Sequence, residues 1–311
     1  MLWALLSGIG ACSDAAYYIV NKRFLRSVQP DLLAAAGFLC TGIFLLVLSL
    51  AWGIPVLGPD FLYAVGATCA INVLGTTLAF RALKSTDISL AVPMLSFTPL
   101  FLVVTAFVML NEIPSLAGMA GIVIIVAGSY ILNTAAEHTS LLDPFRAMAS
   151  HPGILAMFFV AFLYAIAIGF DKMVVLNSDI VFGSAVVFSI LGSAFLVIFI
   201  LKSAMHRSDL PAPAATAPAP VQAQPVQNTS GSPRDILAAG ILIAIFLTIE
   251  SVAINAAYLD QIVPYVSAIK RMSIIITVLY GTLVFRESGI RQRVSGAALM
   301  VFGVVLILLF P

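Results

Sequence analysis

Ten runs of about twenty mostly apolar residues follow one another along this 311-residue chain, and that succession decides what it can fold into. A helix needs ~20 apolar residues to cross the hydrocarbon core of a bilayer. In lipid each backbone must satisfy its own hydrogen bonds, which leaves helices as the form for runs of this length. The runs are Leu2–Val20, Leu32–Leu50, Phe61–Leu83, Ile88–Leu110, Leu116–Leu132, Ile154–Leu176, Ile180–Leu201, Ile236–Tyr258, Val263–Phe285 and Val294–Phe310. Most connections between them are tight, as at Asn111–Ser115 and Asp260–Ile262. The expected fold class is an all-α polytopic membrane protein with ten transmembrane helices.

The charge content agrees. Only 9% of residues are charged, against roughly 25% in a soluble domain, which is too few to cover a chain of this length with a surface for water. The net charge of +1 offers no basic face to nucleic acid, so the partners expected are membrane lipid and a small-molecule substrate, with assembly as a homodimer left open. Cys12, Cys40 and Cys69 all sit in apolar stretches and read as small hydrophobes, not as a disulfide or metal framework. The first run starts at Leu2 without a basic leader or a clear cleavage site and reads as a retained span.

One connection differs from the rest. Lys202 to Arg234 includes PAPAATAPAPVQAQPVQNTSGSP, rich in Pro, Ala and Gln, with nothing to bury; residues 203–234 are expected to be a disordered loop. The triplet Asn228-Thr229-Ser230 matches a glycosylation acceptor, a pattern common by chance.

The two halves of the chain align with each other. Lys22 in IVNK faces Lys172 in GFDK at an offset of 150; past the long loop the offset is 175 and pairs Asp60 with Asp235, Glu112 with Glu287, Gly121 with Gly296 and Gly128 with Gly303. Residues 1–134 would form a first five-helix repeat, 135–153 a connecting loop and 154–311 a second repeat. Five is odd, so the second repeat would be inverted relative to the first, the architecture of secondary transporters that bind near midplane between repeats. A duplicated bundle without transport is the competing reading. Gly121 and Gly128, like Gly296 and Gly303, are two helical turns apart and predict close helix packing.

Twelve of the fifteen Lys and Arg residues fall on one side if the N-terminus is outside: Lys22, Arg23, Arg26, Arg81, Lys84, Arg146, Lys202, Arg207, Arg234, Arg286, Arg291 and Arg293. The charge rule then places both termini outside. The setting expected is a bacterial inner membrane.

Charges within the spans carry the chemistry. A charged side chain at the bilayer centre costs at least ~2.5–3.5 kcal/mol on insertion scales, so each needs a partner or an aqueous cavity. Lys270 and Arg271 lie seven and eight residues into the ninth run. Neighbours on a helix point about 100° apart, so both can border one cavity. Arg offers a planar fork for phosphate or carboxylate and Lys a point charge. Alternatively they pair with Glu250 and Asp14 and hold helices together. Glu250, mid-span, can carry a proton for coupling or serve as the counter-ion of Arg271. Asp14 points inward with Tyr17 on the same helical face. Asn72, Thr76 and Thr77 form a polar stripe on the third run, and Ser251, Asn255 and Tyr258 one on the eighth, lining a cavity or bonding between helices. Lys22, Asp171 and Lys172 lie near span ends and read as snorkelling to the interface.

The phrases ALKSTDISLAVPMLSFTPLF and LVFRESGIRQRVSGAALMVFGVVLILL, with the repeat, resemble the drug/metabolite transporter superfamily, EamA-type branch. The resemblance implies a metabolite exporter or exchanger with no cofactor. Such proteins usually keep both termini in the cytoplasm and carry Glu-Pro in the fourth span, where this chain has Thr98-Pro99. The Lys270-Arg271 pair is similar to the one with which the triose-phosphate translocator branch holds phosphate; the position matching that branch's fourth-span lysine is Leu95. His138, His151 and His206 have no metal-ligand spacing, and no hydrolase, metalloprotease or phosphate-loop motif is present, so no enzyme is expected. The function expected is a secondary transporter of a small organic anion or zwitterion, phosphorylated compounds included, working by alternating access. The alternatives are an exporter of neutral or cationic metabolites using Asp14 and Glu250, and a non-transporting membrane scaffold. The first, third, fourth, sixth, eighth and ninth spans should line the cavity.

Overall fold

The computed structural model describes residues 1–25, 27–85, 92–134, 151–208, 232–285 and 290–311. Arg26, Arg146, Arg286, Glu287 and His138, the start of the fourth run at Ile88 and most of the Pro/Ala-rich loop lie outside the described residues, as do the side chains of Lys84, His206, Arg207 and Arg291. The described residues are helical: α1 (Leu2–Phe24), α2 (Pro30–Trp52), α3 (Phe61–Ser85), a 3₁₀ turn (Val92–Phe97), α4 (Thr98–Leu110), α5 (Leu116–Thr134), α6 (Pro152–Leu176), α7 (Phe182–Ser208), α8 (Pro233–Asp260), α9 (Val263–Lys270), α10 (Ser273–Phe285) and α11 (Ile290–Leu309).

Among the described residues, six segments are long and apolar enough to cross a membrane: Pro30–Trp52, Phe61–Ala79, Val92–Leu110, Pro152–Leu176, Phe182–Met205 and Pro233–Asp260. Leu116–Leu132 and Arg293–Leu309 are shorter apolar helices. The bundle turns large apolar side chains outward, among them Ile43, Phe44, Val47, Val104, Phe107 and Val108, while Ser7, Thr41, Thr68, Ser96 and Ser129 are fully buried. In water such a surface would be an aggregation hazard; in a bilayer it is the solvated face. The chain is an integral membrane protein. Polar side chains inside bond back within their own helix, as Ser7 does to the Trp3 carbonyl and Thr41 to that of Gly37, both at 2.7 Å, so they cost little in a dry interior.

The main helix pairs are α5 with α11, α2 with α7, α1 with α8 and α3 with α6. All four are antiparallel. In the first, Gly121 faces Gly303 and Gly128 faces Gly296, one number rising as the other falls. A Cβ added at Gly121 would stand 2.8 Å from the Gly303 carbonyl oxygen, and one at Gly128 2.6 Å from that of Gly296. The backbones touch, as the glycine spacing predicts. Gly128→Leu should therefore lower the melting temperature in detergent by several degrees, the effect of about 1–3 kcal/mol of overpacking. Gly66→Leu, where an added Cβ meets nothing within 4 Å, should leave it unchanged.

Two segments are interrupted. The fourth run passes from its 3₁₀ turn into α4 at Thr98-Pro99, and the ninth breaks between α9 and α10. There the backbone tightens to three-residue spacing: the Met272 N–H donates to Ile269 at 2.9 Å, and Ile274 and Ile275 donate to Arg271 and Met272 at 3.0 Å. The break falls beside the Lys270-Arg271 pair.

Candidate functional site

Lys270 is the last residue of α9, and the break that follows fixes where its side chain goes. Its Nζ pairs with Glu250 Oε1 on α8, and Asp14 Oδ1 on α1 stands 4.0 Å away. The lysine side chain is one-third exposed, whereas both carboxylates are about nine-tenths buried. Glu250 Oε2 is buried and has no hydrogen-bond partner. Three helices thus converge on one ammonium group.

A cavity of about 230 Å³ opens beside this pair. Its polar wall includes Lys270, Glu250, Asn72, Ser251, Asn255 and Tyr258, six of the residues expected to meet substrate. The α8 polar residues also bind α7: Ser251 Oγ donates to Ser184 Oγ at 2.7 Å, and Asn255 Nδ2 donates to Ser184 Oγ at 2.7 Å and to the Ile180 carbonyl at 3.1 Å. Asn72 Nδ2 donates to the Thr68 carbonyl at 2.9 Å.

The other four expected contacts do not line the cavity. Asp14 reaches it only through Lys270. Arg271, half-buried in the break, has Tyr18 and Asp14 as electrostatic neighbours and makes no ion pair among the described residues. Tyr17 packs against the apolar cluster of Val28, Leu33, Ile243 and Leu247. Thr76 Oγ1 meets the Tyr164 hydroxyl at 3.3 Å. The wall also differs from expectation in its helices, since α2 contributes Phe38 and α7 contributes Ser184, Val187, Phe188 and Leu191.

Two residues read as snorkelling are instead inside. Asp171 lines the cavity and accepts a hydrogen bond from Thr68 Oγ1 at 2.6 Å. Its repeat equivalent at an offset of 150 is Asn21, also polar, a signal that Asp171 belongs to an interior position. Lys172 is buried and donates to Glu112 Oε1 at 2.6 Å and to the Gln261 carbonyl at 3.0 Å. Glu112 Oε2 in turn accepts from the Val263 N–H at 2.7 Å, capping the start of α9. Beside it the Tyr265 hydroxyl accepts from the Ser115 N–H at 2.8 Å, and Ser115 Oγ donates to the Phe310 carbonyl at 2.8 Å. The end of the bundle that holds the termini is tied together by these contacts. Ser267, one turn before Lys270, completes the wall, and the three-residue spacing alone could have found it.

Residues 1–134 match the family model of the EamA-like transporter family, whose members are transporters. No curated protein matches the chain. A solved structure described as "Crystal structure of protein" superposes with a TM-score of 0.70 at 18% identity, covering 99% of each chain; at that identity the likeness shows the fold alone.

Proposed function

We infer that this chain, an integral membrane protein whose first 134 residues are EamA-like, is a secondary transporter of a small organic solute working by alternating access. The observation that carries the reading is the Lys270–Glu250 pair on the wall of a cavity, at the break between α9 and α10. Broken helices of this kind place unwound backbone and charge at a transporter's binding site. At about 230 Å³ the cavity is smaller than the ~300 Å³ lower bound for drug-sized pockets, which suits a metabolite of few heavy atoms.

The inverted repeat belongs to the same proposal. Exchanging the two halves maps the α1–α8 contact onto α6–α3 and returns the α2–α7 and α5–α11 pairs to themselves, the relation expected of two five-helix copies about a shared axis. The halves would then rock against each other, with the tied end around Glu112 and Lys172 as one closed face. The loops of that end carry Asp60, Glu112, Asp179 and Asp260, while the opposite end carries the basic residues of the charge rule, which favours both termini outside the cell.

Lys270 already has Glu250 as its counter-ion, so the zwitterion part of the substrate expectation fits this wall better than a plain anion. The test is solute counterflow in proteoliposomes, paired with a thermal-shift screen of amino acids, organic acids and phosphorylated metabolites in detergent. A transporter is expected to gain stability with a solute that it also moves, since ligand bound to the folded state stabilises it. A scaffold would show neither.

A further inference from the structure

Glu250 and Asp171 line the same cavity, and Lys270 is the one basic residue on its wall among the described residues. The wall thus carries two carboxylates to a single ammonium. The Lys270 Nζ is spent on Glu250 Oε1, while Glu250 Oε2 is buried with no hydrogen-bond partner. Asp171 makes no ion pair among the described residues; Thr68 donates to its Oδ1 and holds the carboxylate in place. An ionised carboxylate in the membrane interior is expensive without a cation or several donors. Here two acceptor groups on one wall are undersupplied with donors, in a space large enough for a small solute.

We propose that this cavity is a primary-ammonium site, in which Asp171 and Glu250 Oε2 together receive the N–H groups of a protonated amine on the transported solute. The proposal rests on the transporter reading above and names its substrate class. An amine with N–H bonds supplies both the missing charge and the missing donors; a quaternary ammonium supplies only the charge, and an anion supplies neither. Lys270 stays bound to Glu250 Oε1, and Asn255 and Ser251 of the same helix share the cavity wall with that residue. A carboxylate elsewhere on the solute would find Lys270 as its nearest cation.

The test is thermal stabilisation of the full chain in detergent by five small probes: ethanolamine and 4-aminobutyrate as primary amines, choline as a cation without N–H bonds, glycolate as an anion and glycerol as a neutral solute. The expected result is stabilisation by the two amines, with choline at least about tenfold weaker than ethanolamine, the loss that missing charge-assisted hydrogen bonds produce. In Asp171→Asn the amines should weaken by about tenfold or more and the preference should move toward glycolate, since the wall then carries one carboxylate and one ammonium. That change of charge preference is something a merely structural Asp171 would not produce. Stabilisation by glycolate but not by the amines in the wild type overturns the ammonium site and leaves the transporter reading standing, as does equal amine binding by wild type and Asp171→Asn. Silence of all five probes overturns both. Where Asp171→Asn yields no folded protein, the wild-type ratio of ethanolamine to choline carries the test, and a ratio near one overturns the site.

Discussion

Lys270→Met is expected to abolish solute binding and to destabilise the protein by about 3–5 kcal/mol, the cost of leaving a buried charge without its partner. Glu250 and Asp14 are both about nine-tenths buried, and Lys270 is the cation that serves them both. Removing it strands two carboxylates among α1, α8 and α9. Lys270→Met combined with Glu250→Gln removes one of the two stranded charges, and stability should return part of the way to the wild type, with Asp14 still lacking its cation. Transport should not return with it. The measurements are melting temperature in detergent and counterflow in proteoliposomes on the same preparations. A double variant that transports at the wild-type rate would remove the pair from the site and leave it a helix fastener.

Much of this is legible in the amino-acid sequence. The apolar runs gave the long helices because run length in a bilayer leaves little choice of structure. The Gly121/Gly128 and Gly296/Gly303 spacing gave the α5–α11 contact because a bare backbone face on each helix fits only another close backbone. That Glu250 and Asp14 offset a cation of the Lys270-Arg271 pair followed from the cost of burying charge, although both carboxylates stand at Lys270 and neither pairs with Arg271 among the described residues. Arg271 did not follow. Two neighbours on a continuous helix could share a cavity, but the backbone tightens after Lys270 and turns Arg271 toward Tyr18, a local break that no periodicity records. Asp171 and Lys172 were misjudged for a different reason. Their places near a helix end suggest the interface, whereas the Glu112 side chain reaches from the Asn111–Ser115 connection to Lys172 and leaves both side chains about nine-tenths buried. Distance along a helix does not tell which side chains of a neighbouring connection will cover a charge near its end.

That contact sets the second large expectation. Lys172→Met should open the end of the bundle that holds both termini, and the change should be read by labelling. Glu112 bridges three segments: Lys172 at the end of α6, the Val263 N–H at the start of α9 and its own loop between α4 and α5. Lys172 adds a bond to the Gln261 carbonyl just before α9. At this end residues 1–134 are thus joined to the later half by a buried ion pair and a helix cap, beside the Ser115 bonds to Tyr265 and Phe310 and near the segment that carries Ser267 and Lys270 to the cavity. Without the ammonium, Glu112 keeps only the Val263 N–H, and breaking such a pair costs about 3–5 kcal/mol. Each ~1.4 kcal/mol taken from the closed arrangement shifts the balance of states tenfold. In a background with Cys12, Cys40 and Cys69 replaced by Ala, Ser267→Cys is 4% exposed at its native residue and should react slowly with a membrane-impermeant thiol reagent added on the terminal side. Adding Lys172→Met should raise that rate by at least about tenfold, while the exchanged pair Glu112→Lys with Lys172→Glu should bring it part of the way back, since the exchange restores the ion pair but not the cap on Val263. Transport should fall in Lys172→Met, because alternating access needs the closed face as much as the open one. A labelling rate indifferent to Lys172 would mean that this end is held shut by Tyr265, Ser115 and the packing around them, and that the ion pair is only part of the wall.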